Sequence, residues 1–128
     1  MKLDSKYIIG CHCMFYEIDM VEEYLNSLKL ALQDIENPEN VLIEMMWNMS
    51  EYFEKCETKQ SIYSKIEKLE KKYDIKSLFY EDNDNPYTMA DYRRELNNKC
   101  NGYDYVIWGE SDCFCLLYTS PSPRDALT

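Results

Sequence analysis

This chain is short of positive charge. Fourteen lysines and arginines stand against 24 aspartates and glutamates, for a formal net charge of −10. No basic stripe gathers on any face that helix or strand periodicity builds, so tight binding to a nucleic-acid backbone is not expected. Glycine is scarce as well, with only three in the chain. Neither GxGxxG nor GxxxxGK occurs, which disfavours a dinucleotide-binding or P-loop enzyme. No apolar run approaches the roughly 20 residues that span a bilayer. The N-terminus, MKLDSKYIIG, lacks the long apolar centre of a secretory signal. The expectation is a cytoplasmic protein with no transmembrane segment in this stretch.

What is present is an alternation of periods. Lys6 to Cys13 is a short apolar run of the kind seen in a strand covered on both faces. Behind it Ile18, Val21, Tyr24, Leu25, Leu28 and Leu32 recur at helical spacing, with Glu17 and Asp19 near the N-terminal turn. Pro38 breaks that pattern, and Val41 to Trp47 is a second apolar strand leading into Asn48 and Ser50. Thr58 to Tyr73 carries Ile62, Ile66 and Leu69 on one stripe of an otherwise solvated helix. Ile75 to Tyr80 is a third strand. Thr88 with Asp91 forms a capping box for a third helix, and Asn101 and Gly102 are expected to stop it in the left-handed conformation. Tyr103 to Phe114, YDYVIWGESDCF, is a fourth strand running into Glu110 and Asp112. Tyr105 and Trp108 are expected to pack in the core.

Strands alternating with helices long enough to be crossovers specify an α/β fold, a mostly parallel sheet covered by helices. Right-handed crossovers bring every strand's carboxyl end to one edge, where ligands of such sheets bind. That edge should gather His12, Asn48 and Ser50, Glu81 and Asp82, then Glu110 and Asp112. Glu81 and Asp82 read as an exposed turn, and Gly109 as a place where the backbone bends. Paired carboxylates delivered by a strand suit a hard divalent cation and the phosphates it carries.

The stretch from Lys6 to Phe114 resembles the N-terminal, nucleotide-sugar-binding half of a GT-A-fold glycosyltransferase of the broad family 2 type. The resemblance rests on Glu110-Ser111-Asp112, which stands where the family has its acidic DxD motif, and on ADYRRELNNKCNGYDYVIWGESD, where Arg93, Arg94 and Gly102 match a looser form of the family's basic residue and glycine ahead of the strand. It implies a Rossmann-like sheet and Mn²⁺ or Mg²⁺ held by Glu110 and Asp112 against the diphosphate of a sugar nucleotide. It also implies contacts to that ligand from His12, Asn48, Arg93, Arg94 and Glu110. Asn48 takes the position of the acid that meets the nucleobase in the family. The general base and acceptor pocket of such enzymes lie downstream of the acidic motif, so no catalytic residue is assigned. The stretch as given is expected to bind donor without turning it over.

From Cys115 the chain reads CLLYTSPSPRDALT, which resembles a translated adaptor from transposon-based sequencing libraries. The expected division is therefore a partial domain over residues 1–114 and a non-native tail over 115–128. Of the six cysteines, this sets Cys115 aside and leaves Cys11, Cys13, Cys56, Cys100 and Cys113. An odd number without a secretory signal argues against a disulfide framework. Cys11 and Cys13 share one strand face while His12 takes the other, so they read as buried thiols and not as a zinc site. The alternative to the transferase is a non-catalytic, Mg²⁺-binding nucleotide or phosphate module, such as a receiver-like signalling domain. Such a domain needs an acid pair after its first strand, where this chain has Cys11, His12 and Cys13.

Overall fold

The computed structural model describes residues 1–50 and 59–110. The elements follow the expected alternation: β1 (Tyr7–Met14), α1 (Ile18–Leu32), β2 (Val41–Asn48), α2 (Lys59–Tyr73), β3 (Lys76–Tyr80), α3 (Met89–Asn97) and β4 (Tyr105–Gly109). The strands form one sheet in the order β3-β2-β1-β4. All three neighbouring pairs are parallel.

Both faces of β1 are buried, which explains its unbroken apolar character. Ile9, Cys11 and Cys13 point to one face and join Ile43, Met45 and Trp47 of β2 under α1 and α2. The other face holds a smaller cluster of Ile8 and Met46 with Tyr92 and Leu96 of α3. Crossovers of one hand that step outward from β1 to β2 to β3 lay their helices on one face. The step back across the sheet to β4 must lay its helix on the opposite face. The two clusters are the consequence of that reversal.

The α3 face has an acid at its centre. Glu44 is fully buried in the middle of β2. Lys99 Nζ donates to both of its carboxylate oxygens at 2.7 Å, the Tyr92 hydroxyl donates at 2.9 Å, and Lys76 Nζ lies 3.8 Å away. Opposite Glu44 in the β1 register stands Gly10. A Cβ there would lie 2.3 Å from the Tyr92 hydroxyl and 2.6 Å from Leu96. The missing side chain is the space through which Tyr92 reaches the carboxylate. Burial, followed by the Glu44 charge, pushes the Tyr92 phenol far above its ordinary range, so it stays a donor.

The Thr88 and Asp91 capping box forms as expected. Asp91 N–H donates to Thr88 Oγ1 at 3.2 Å, and Thr88 N–H donates to the Asp91 carboxylate at 2.8 Å. Two expectations are corrected. Gly102 has φ −104° and ψ −9°, so the segment after α3 closes in a right-handed 3₁₀ turn (Asn98–Asn101) and not in a left-handed stop. Among the described residues the left-handed conformation falls instead to Asp74, φ 51°, just past α2. Tyr105 and Trp108 are not core residues: they are 54% and 50% exposed, and Ile107 is 43% exposed. Among the described residues β4 is an edge strand, paired with β1 alone, so part of an apolar run remains uncovered.

Gly10→Ala should lower stability by roughly 2–3 kcal/mol, because the added methyl would overlap the buried Tyr92 hydroxyl and Leu96 side chain, which must shift to admit it. The measurement is the denaturant midpoint of the variant against the parent. An unchanged midpoint would mean that Tyr92 does not cross the strand at Gly10.

Candidate functional site

The sheet order places a topological switch point between β1 and β4, because the chain leaves β1 in one direction and returns to its other side. In open α/β sheets, the crevice outside the strand carboxyl ends at such a point is where ligands bind. The last register pair there is Cys11 with Gly109. Past it the two chains continue as His12 and Glu110.

Glu110 is gripped from α3. Arg93 Nη2 donates to its carboxylate at 3.1 Å, and the same guanidinium lies 4.9 Å from the centre of the Trp108 ring. Trp108 Nε1 in turn donates to Asn97 Oδ1 at 3.2 Å. The spacing explains the set: Arg93 and Asn97 lie one helical turn apart on α3, and Trp108 on β4 lies two residues before Glu110, just past the strand's end. Arg94 points elsewhere. It pairs with Asp91 within its own helix, so the two arginines, equivalent in sequence, are separated by the structure.

His12 and Asn48 sit deeper, and both are buried. Asn48 Nδ2 is 3.1 Å from His12 Nε2 and donates to the Tyr87 carbonyl at 2.9 Å. Asn48 Oδ1 accepts from Ser50 N–H at 3.0 Å and also from the Ser50 hydroxyl. The amide is thus engaged by Ser50 and Tyr87 and lies against His12, so here Asn48 shapes the edge from within the protein. Burial holds the His12 imidazole below its ordinary pKa, against a smaller opposing pull from the Asp91 charge. Tyr87 stacks on Tyr80 with ring centres 4.3 Å apart, and its hydroxyl donates to Glu95.

Asp82 lies in an exposed turn as expected. It accepts from Asn85 Nδ2 at 2.7 Å and from Asp84 N–H at 2.9 Å, bonds that lower its pKa. Gly109 has a reason the sequence does not show. A Cβ at this position would meet the Tyr24 hydroxyl of α1 at 2.0 Å, so the requirement is close approach and not a bend. Asp112, like Ser111, lies outside the described residues, as do Cys56 and Cys113. Among the described residues no group of three or more metal-ligating side chains assembles. The donor chemistry of Glu110, a partly exposed carboxylate, nevertheless suits a hard cation. A hollow of about 710 Å³ opens at the opposite end of the sheet, beside Lys6, Asn40 and Lys76 at the strand amino ends, away from this constellation. Among the described residues no helix is long and apolar enough to cross a membrane.

Comparison with family profiles, curated proteins and solved structures finds no match. The geometry of this edge is therefore the ground for a functional reading.

A double-mutant cycle with Arg93→Ala and Glu110→Ala should give a coupling of about 0.5 kcal/mol that shrinks as salt is added, as for other partly exposed pairs. A coupling above about 2 kcal/mol, insensitive to salt, would mean that the pair is desolvated and structural.

Proposed function

We propose that this chain is the donor-binding part of a metal-dependent glycosyltransferase, which moves a sugar from a nucleotide diphosphate sugar to an acceptor. The observation that carries the reading is the Arg93–Glu110 pair. It gathers a guanidinium and the first acid of the acidic triplet at the carboxyl ends of a parallel sheet, at its switch point. The strand order supports the same reading over a receiver-like module. In that fold β1 lies between β2 and β3, whereas here it lies between β2 and β4.

Transfer requires cleavage of the bond between the anomeric carbon and the diphosphate, which leaves negative charge on the phosphates. Bound Mn²⁺ or Mg²⁺ supplies Lewis-acid neutralisation of that charge. Glu110 and Asp112 are the residues that would hold the ion. Arg93 contributes a fixed positive charge beside the same carboxylate, and its planar fork suits a phosphate oxygen pair. Arg94, bound to Asp91, contributes to the field of the edge only at a distance. His12 brings a hydrogen-bonding ring to the first strand's end. The reading assigns ligand binding to these residues and leaves the catalytic base, the sugar and the acceptor unassigned.

Titration calorimetry of the chain with Mn²⁺ and a panel of nucleotide diphosphate sugars tests this. The expected result is Mn²⁺-dependent binding that Asp112→Ala abolishes and Arg93→Ala weakens by about 10-fold or more, the loss of a charge-assisted contact of 1.5–3 kcal/mol. Unchanged affinity in Asp112→Ala, or no binding by the parent, would overturn the reading.

A further inference from the structure

The orientation of the Asn48 amide is dictated by the main chain. Its oxygen faces the N–H of Ser50, and its nitrogen faces the carbonyl of Tyr87. Turning the amide over would set oxygen against oxygen and N–H against N–H, so only one orientation satisfies both neighbours. One hydrogen of Nδ2 goes to Tyr87, and the other is left to point at His12 Nε2, 3.1 Å away. A nitrogen that faces a donor must present a lone pair. In a neutral imidazole the proton then resides on Nδ1.

We infer that Asn48 is a positioning residue that fixes His12 as the neutral Nδ1–H tautomer, making it an uncharged hydrogen-bond donor at the carboxyl edge. Acid protonation of Nε2 would set two donors against each other and open the joint between β1, β2 and the segment leading into α3. The inference stands whether or not the ligand is a sugar nucleotide.

The surroundings of the ring agree. On the α3 side, Asp91 favours the charged form but is itself neutralised by Arg94 and bonded to Thr88. Glu95 is taken up by the Tyr87 hydroxyl. The Tyr87 and Tyr92 rings lie 5.8 and 6.4 Å from the imidazole, both phenols held neutral by burial. On β2, Glu44 is held by Lys99. Past the end of β4, Glu110 is held by Arg93. Among the described residues each of these acids already has a partner, and the burial of the ring prevails. Unfolding returns His12 to its ordinary value of roughly 6.5, so the unfolded chain takes up the proton first. Stability is full above that pH and falls as acid is added, until the native ring also titrates.

His12 is the only histidine in the chain, so long-range ¹H–¹⁵N correlation spectra of the labelled protein report on it without assignment ambiguity. The expected spectrum at neutral pH has a protonated Nδ1 and a bare Nε2. On acidification the titration midpoint should lie below roughly 6.5, and the backbone amides of Asn48, Ser50 and the residue after Tyr87 should shift with the same midpoint. Asn48→Asp offers Nε2 an acceptor. It should reverse the tautomer and raise the midpoint by roughly 1–3 pH units. A parent spectrum with Nε2 protonated, a midpoint at or above the ordinary value, or neighbouring amides that ignore the titration would each overturn the inference. If the aspartate variant does not fold, the tautomer of the parent decides alone.

Discussion

A carboxylate in the middle of a buried strand is the constraint around which the α3 face is arranged. Glu44 is fully buried, so its charge must be met by donors. Leaving such a charge unpaired costs several kcal/mol. The donors come from far along the chain, Tyr92 on α3 and Lys99 in the turn after it. Meeting Glu44 therefore fixes the height of α3 along the sheet and its rotation about its own axis. Gly10 is the counterpart on β1, the gap through which Tyr92 passes. The pair of Glu44 and Gly10 acts as a key for seating one helix, a specificity role of the kind buried ionic groups serve in some folds.

Once α3 is seated, the carboxyl edge is largely determined. Tyr92 and Arg93 are consecutive, so the helix that delivers the first to Glu44 delivers the second to Glu110 and Trp108. The residue just ahead of the helix is Thr88, whose capping box sets the helix start, and Tyr87 before it gives its carbonyl to Asn48. A short segment thus links the buried charge, the histidine joint and the acidic motif. The edge is closed on its β1–β2 side, where buried Asn48 bonds Ser50 and Tyr87. It is more open on its β4 side, where Trp108 and Glu110 meet solvent. This asymmetry suits a site in which one wall is pre-formed and the other carries the groups that meet a ligand.

Much of the fold could be read in the residues. Continuous apolar runs in β1 and β2, helical stripes in α1 and α2 and the Thr88–Asp91 box are local signals, and each became the element it implied. The misreadings share a cause. Trp108 and Tyr105 lie in an apolar run, and hydrophobicity alone does not say whether a strand is central or at an edge. Gly102 follows a helix, but whether the chain leaves through a left-handed residue or a 3₁₀ turn depends on where Lys99 must go. The role of Glu44 is not legible inside VLIEMMW, because Tyr92 and Lys99 lie about fifty residues away.

The sequence by itself determined the alternation of strand and helix, the double burial of the central strands and the arrival of an acidic motif at the end of an apolar strand. These depend on periodicity and on neighbours a few residues apart. Only the tertiary structure decided that β4 returns to the side of β1, that Arg93 and not Arg94 meets Glu110, that Asn48 faces inward to His12, and that Gly109 yields to Tyr24. Those outcomes depend on which face each crossover helix takes and on side chains meeting across the sheet. Such contacts are long-range in sequence and are settled only when buried charge, packing volume and hydrogen-bond direction are satisfied together.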